Sequence, residues 1–141
     1  DPLGREFPRI DCLASLMAIP NSSTPMTNID IDGNNSFDAL TDGLLILRSM
    51  FGLTGAALTS GATADDAMFV SSGDLAQRYD SALNLLDIDG NEQLDALTDG
   101  LLILRFLFGL RGEELVSQAT ADDSARSTPQ ENEDYLATLI Q

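Results

Sequence analysis

Two stretches of this chain, 57 residues apart, are spelled almost alike, and each crowds oxygen-bearing side chains into a short turn. The first runs Asp30-Ile-Asp-Gly-Asn-Asn-Ser-Phe-Asp-Ala-Leu-Thr-Asp42 and continues as Gly43-Leu-Leu-Ile-Leu-Arg48. The second runs Asp87-Ile-Asp-Gly-Asn-Glu-Gln-Leu-Asp-Ala-Leu-Thr-Asp99 and continues as Gly100-Leu-Leu-Ile-Leu-Arg105. Carboxylates or amides stand at the first, third, fifth, ninth and thirteenth places of each. In a turn, such alternation lets oxygens converge on one point while the residues between them face away. Converging anionic oxygens repel one another unless a positive charge sits among them, and a hard cation with many oxygen ligands meets that need. Magnesium keeps its waters and seldom uses so much protein oxygen, so the pattern predicts two calcium loops, 30–42 and 87–99. A plain polar turn with Asp42 and Asp99 as helix caps is the competing reading. It does not explain why both copies keep every oxygen while Asn35, Ser36 and Phe37 change to Glu92, Gln93 and Leu94.

From Asp30 to Asp66 against Asp87 to Asp123 the copies align without a gap, and 27 of 37 positions are identical, which marks an internal duplication. The surrounding periodicity is helical and predicts an all-α chain folded as one domain, 1–141, from two repeats of about 8–70 and 72–141. Pro8 is placed to start a helix with Ile10, Leu13, Ala14 and Met17 on one face, and Asn21 to Asn28 reads as a loop. Each calcium loop should lead into a long helix, about Ala39 to Phe51 and Ala96 to Phe108, ended by Gly52 and Gly109. Ala62-Thr-Ala-Asp-Asp66 and Ala119-Thr-Ala-Asp-Asp123 read as starts of short helical pieces. Their acidic pairs would then favour the helix dipole and pair with Arg48 and Arg105, further cation sites being the other reading. Ser71 or Ser72 should cap a helix carrying Leu75, Tyr79, Ala82, Leu83 and Leu86 directly into Asp87. Thr128-Pro-Gln-Glu131 is a capping box for a last helix with Tyr135, Leu136, Leu139 and Ile140 toward the core.

On these residues the chain resembles the EF-hand superfamily and, within it, the dockerin-like modules of secreted bacterial proteins. The resemblance rests on Asp-x-Asp-x-Asn, an apolar eighth place (Phe37, Leu94), an oxygen at the ninth (Asp38, Asp95) and an apolar helix directly after. It covers roughly Asp30 to Gly52 and Asp87 to Gly109. Taking Gly33 and Gly90 as the family's central glycine would make Leu85 a first ligand, which leucine cannot be. The resemblance therefore implies Asp30, Asp32, Asn34, the Ser36 carbonyl and Asp38 as one ligand set, and Asp87, Asp89, Asn91, the Gln93 carbonyl and Asp95 as the other. Two departures stand out. The sixth place, usually glycine for a sharp turn, is Asn35 or Glu92, and the closing carboxylate comes one place late as Asp42 or Asp99. Either the loop is one residue longer than usual, or the ninth-place aspartate coordinates directly. We expect Asp42 and Asp99 to ligate, because the sites otherwise lack a closing carboxylate. The family's loops pair back to back through the backbone around the eighth place, related by a pseudo-twofold axis, and the same is expected around Phe37 and Leu94.

The formal charge of −16, with seven scattered arginines and no lysine, argues against nucleic acid and anionic membrane surfaces. With no histidine, the commonest general base is missing, and nothing supplies a substrate cleft, so a non-catalytic chain is expected. No apolar run is long enough to span a bilayer. A start at Asp1-Pro2 without a signal peptide fits a processed or excised piece. Cys12, the only cysteine, reads as a small core residue rather than a thiol for intermolecular pairing. The resemblance implies a secreted or surface bacterial module ordered by two calcium ions. Its protein partner would be a cohesin-like domain, a neighbouring domain or another copy of itself, met through Ala39-Leu40 and Ala96-Leu97. The competing function is a calcium-dependent structural or self-assembling module.

Overall fold

Behind each loop stands an unbroken run of leucine, isoleucine and arginine, and in the computed structural model, which describes residues 26–141, that run is helical. Helices α1 (Leu44–Met50), α2 (Ala56–Thr59) and α3 (Ser72–Ala82) follow the first loop. Helices α4 (Leu101–Leu107), α5 (Glu113–Val116) and α6 (Pro129–Leu139) follow the second. Each helix of the second set lies 57 residues after its counterpart, so the duplication legible up to Asp123 continues in the structure to Leu139. The described residues form an all-α arrangement with no strand among them. The helix expected from Pro8, Cys12 and the start of the loop after Pro20 lie outside the described residues.

The stops and caps follow local chemistry. Gly52 and Gly109 take φ of 82° and 95°, a left-handed conformation that a side chain resists, and they close α1 and α4. The Ser71 hydroxyl accepts from the Asp74 amide to start α3, and Thr128 and Glu131 form a reciprocal capping box at α6. Two expectations are corrected. The short helices come earlier than Ala62 and Ala119, and Arg48 and Arg105 hold their ends rather than the acidic pairs. Arg48 Nη1 donates to the carbonyls of Leu58 and Ser60, and Arg105 Nη1 to those of Leu115 and Ser117, where the last turn of α2 or α5 leaves carbonyls open. In addition, α3 reaches Asp87 through a 3-10 turn, Leu83–Leu85, which leaves Leu83 exposed instead of in the core.

One hydrophobic core serves both repeats. Leu45 and Ile46 of α1, Leu102 and Ile103 of α4, Leu58, Leu75, Leu115 and Leu136 are all essentially without exposure. Ile31 and Ile88, the second residues of the loops, join them. An isoleucine between two aspartates therefore anchors each loop to the core while its neighbours turn the other way. Burial of side chains of this size contributes about 1.5–3 kcal/mol each.

The two halves meet at a seam of helices, which corrects the expected backbone pairing of the loops. Among the described residues, no backbone hydrogen bond joins 30–42 to 87–99. Instead Gly43 faces Leu104 and Leu107 while Gly100 faces Leu47 and Met50. The contacts are reciprocal at the 57-residue offset, and they run α1 and α4 antiparallel. A Cβ at Gly100 would meet Leu47 Cδ1 at 2.8 Å and Met50 Sδ at 3.1 Å; one at Gly43 would meet Leu104 Cδ1 at 3.1 Å. Glycine is needed here for close approach, since both residues have ordinary helical φ of −60°. Gly100→Val should therefore destabilise by roughly 2 kcal/mol through overpacking. Urea unfolding followed by circular dichroism checks this, and an unchanged midpoint would mean that the seam is loose.

Candidate metal centres

The first carboxylate of each loop winds the turn around itself. Asp30 Oδ1 accepts from the amides of Gly33 and Asn34 at 2.9 and 3.2 Å, and its Oδ2 from that of Asn35 at 2.9 Å. Asp87 repeats this with Gly90, Asn91 and Glu92 at 3.0, 3.1 and 2.8 Å. The tight winding requires left-handed residues at the fourth place (Gly33 and Gly90, both φ 75°). It requires them at the sixth as well, where Asn35 stands at 64° and Glu92 at 67°. The turn expected at the sixth place is thus made without glycine, at a cost of about 1–2 kcal/mol for a residue such as glutamate.

The late closing carboxylate is accommodated by a widened helical turn. Residues Ala39–Gly43 and Ala96–Gly100 are π-helical, with the Gly43 amide bonded to the Asp38 carbonyl five residues back and that of Gly100 to Asp95. The extra residue is taken up there, and the thirteenth-place aspartate turns back into the loop. Asp42 Oδ1 accepts from the Ile31 and Asp32 amides at 2.7 and 3.2 Å, and its Oδ2 from Asp38 at 3.2 Å. Asp99 does the same with Ile88, Asp89 and Asp95 at 2.7, 3.2 and 3.1 Å. Neither aspartate caps the helix. That role belongs to the ninth place, where Asp38 and Asp95 accept from the amides of Leu40 and Leu97 at 2.8 Å.

The outcome is two trios, Asp30-Asp32-Asp42 and Asp87-Asp89-Asp99, in each of which one carboxylate oxygen per residue lies within 4.8 Å of the others. Either trio can hold a metal ion. Asp32, Asp42, Asp89 and Asp99 have no exposure, and Asp32 Oδ1 is buried without a hydrogen-bond partner, an uncompensated oxygen of the kind a cation satisfies. The donors are oxygens throughout, as hard cations prefer. Of the remaining ligand candidates, Asn34 and Asn91 turn Oδ1 to the amides of Ser36 and Gln93, which are exposed, and Asp38 and Asp95 stand outside the trios as caps.

A segment beyond each short helix straps the loop from outside. The Ala64 amide donates to Asp32 Oδ2 at 3.2 Å, and those of Met68 and Phe69 donate to the Asp32 carbonyl; Ala121 and Arg126 do likewise at Asp89. The segment after Ala62 is not helical, and its Ala64, Met68 and Phe69 amides go to Asp32 rather than to carbonyls of their own segment. Arg78 Nε donates to the Ile31 carbonyl at 3.1 Å and Arg78 Nη2 to that of Asp30, with the guanidinium 4.3 Å from the Phe69 ring centre. In the second repeat Arg126 donates to the carbonyls of Ile88 and Asp87 at 2.7 and 2.8 Å and lies 4.0 Å from the Tyr135 ring centre. By the 57-residue offset Arg126 occupies the place of Phe69, and Tyr135 that of Arg78. The pair is the same, with its two members exchanged between strap and helix.

Sequence reasoning missed these arginines, Asn132 (which ties α6 to the Arg126 and Thr128 carbonyls) and the contacts of Asp66 and Asp123 described below. The exchange at the 57-residue offset was the available signal. Of the expected partner-contact residues, Leu40 and Leu97 are 59% and 62% exposed, whereas Ala39 and Ala96 are buried at 4% and 6%. These alanines open the π-turn and are buried, so of the expected contact residues only the two leucines face outward. No protein family, curated protein or solved structure with which the chain was compared matches it.

Arg78→Tyr should destabilise by about 2 kcal/mol, through loss of charged hydrogen bonds and the cation–π contact. The exchange Phe69→Arg/Arg78→Tyr, which copies the second repeat, should recover most of that in urea unfolding. A double variant no better than Arg78→Tyr alone would show that the two pairs are not equivalent.

The other prediction concerns pH. Burial pushes the Asp42 carboxyl up to about 7 and Asp99 up to about 6, with Asp32 or Asp89 adding repulsion and backbone amides opposing both. Burial raises Asp32 too. The folded state thus holds protons that the unfolded chain has released. The resulting stability is full below the ordinary carboxylate value near about 4 and is lost as pH rises through about 6 to 7. With chelator present, urea midpoints should fall over that window. The fall should be shallower in Asp42→Asn/Asp99→Asn, and equal slopes in the two proteins would refute the assignment.

Proposed function

We infer that this chain is a non-catalytic calcium-binding module, built from two EF-hand-like, dockerin-like helix-loop-helix units related by a pseudo-twofold axis and ordered by two calcium ions. The observation that carries the reading is the duplicated aspartate trio with a buried, unpartnered oxygen at Asp32. Each loop offers three converging carboxylates, with Asn34 or Asn91 and the carbonyl of Ser36 or Gln93 as further oxygens. This is a set suited to a cation that takes six to eight oxygen ligands. Asp38 and Asp95 cap the helix and reach the ion through water, a role the ninth place often has. The reciprocal contacts of Gly43 and Gly100 support the twofold relation.

The module's role is association with a protein partner, as part of a secreted or surface bacterial protein. Support comes from apolar side chains left outward at matching places of both repeats: Leu40 and Leu97, and Phe51 and Phe108 at 56% and 57% exposure. Because these sets match, they favour a symmetric mode of contact, with self-association as the second reading. No helix among the described residues is long and apolar enough to cross a membrane.

If calcium orders the domain, excess chelator should lower the melting temperature by more than about 10 °C, because binding free energy adds to folding free energy. Calorimetric titration of Asp99→Asn should show one strong site where the parent protein shows two. Two unaltered sites would make Asp99 a purely structural residue, and a chelator-insensitive melting curve would defeat the calcium reading. Size-exclusion chromatography with light scattering, with and without calcium, separates the two modes of association, since only self-association gives a calcium-dependent dimer.

A further inference from the structure

Asp66 and Asp123 stand 32 residues after the loop asparagines they touch. Asn34 Nδ2 donates to Asp66 Oδ1 at 3.0 Å, and Asn91 Nδ2 to Asp123 Oδ1 at 3.2 Å. The other end of each amide is also engaged, since Asn34 Oδ1 accepts from the Ser36 amide at 2.9 Å and Asn91 Oδ1 from that of Gln93 at 3.0 Å. Reversing either amide would set N–H against N–H and oxygen against carboxylate, so its orientation is fixed twice over. An amide oxygen has two lone pairs, and the second is left for a cation. The same strap grips the third place, through Ala64 on Asp32 Oδ2 and Ala121 on Asp89 Oδ2. The oxygen of Asp32 left without a partner, in a side chain with no exposure, independently points to a ligand within the site.

We propose that Asp66 and Asp123 are positioning carboxylates of the two cation sites, each holding the fifth-place asparagine with Oδ1 presented to the ion, so that cation binding and closure of the strap (62–69 or 119–126) onto its loop are one event. The proposal rests on the reading of the loops as calcium sites. It also accounts for asparagine at the fifth place: an aspartate there would offer no N–H to the strap and would repel Asp66 or Asp123.

The test is a double-mutant comparison in the full chain, with calcium affinity measured by calorimetry. Asp66→Ala/Asp123→Ala, which removes the acceptor, should weaken calcium binding about tenfold, the scale of losing a residue that orients a ligand. In an Asn34→Asp/Asn91→Asp background, with no amide left to hold, the same pair of substitutions should leave affinity unchanged or raise it. Asp65→Asn/Asp122→Asn removes the same charge one residue away and should have little effect. Hydrogen exchange supplies a second readout, because calcium should slow exchange at the Met68, Phe69 and Arg126 amides in the parent chain and much less in Asp66→Ala/Asp123→Ala. Equal losses in both backgrounds would reduce the effect to general charge, and either that or calcium-insensitive strap amides would overturn the proposal. If the parent chain binds calcium and Asp66→Ala/Asp123→Ala binds it equally well, this proposal alone fails. If the parent chain binds none, the calcium reading fails with it.

Discussion

The fold is organised by carboxylates forced together. Three aspartates cannot be brought within 4.8 Å of one another unless their backbone is held and their charge is offset. Much of the structure around each loop supplies the holding. The turn is wound on Asp30 or Asp87 by its own amides, the closing aspartate is drawn in by three more, and an arginine from outside fixes the first two carbonyls. Burial penalises their charge by more than these amides offset, which is why Asp42 and Asp99 stay reluctant to ionise. A divalent cation completes that balance in the function proposed for this chain.

The π-turn is the price of placing the closing aspartate one residue late. A regular first turn would leave Asp42 rotated away from the loop, whereas the widened turn lets one residue do the work of orienting both segments. Leu44 and Leu101 then continue as ordinary helix, and the glycine between turn and helix is a point of close approach between the two halves. Loop chemistry and the packing of the halves are therefore fixed by adjacent residues, Asp42 with Gly43 and Asp99 with Gly100.

What could be read from the sequence was whatever depends on short range. The oxygen alternation, the helix stops at Gly52 and Gly109 and the capping box at Thr128 each follow from a few neighbouring residues, and the structure has them where expected. That Asp42 and Asp99 reach back into the loop was legible from their recurrence, but the widened turn was not, because it depends on amides eleven residues earlier. The strap escaped for the same reason. Ala62 to Asp66 has ordinary helix-start residues, and nothing in them announces the bond from the Ala64 amide to Asp32, 32 residues away. Ala39 and Ala96 were misplaced because position in a motif says which residue follows a ligand, not which way its methyl group points.

The exchanged arginine and aromatic pairs say something about how the duplicated chain came to differ between its halves. Passing from Arg78 on Phe69 to the arrangement of Arg126 on Tyr135 takes two substitutions, and the intermediate must carry either two arginines or two rings at that spot. A solitary unit passing through the two-ring form would lose the arginine that grips the loop carbonyls. In a tandem chain with one shared core a second, intact grip remains in the other half, so such a form removes one of two supports rather than the only one.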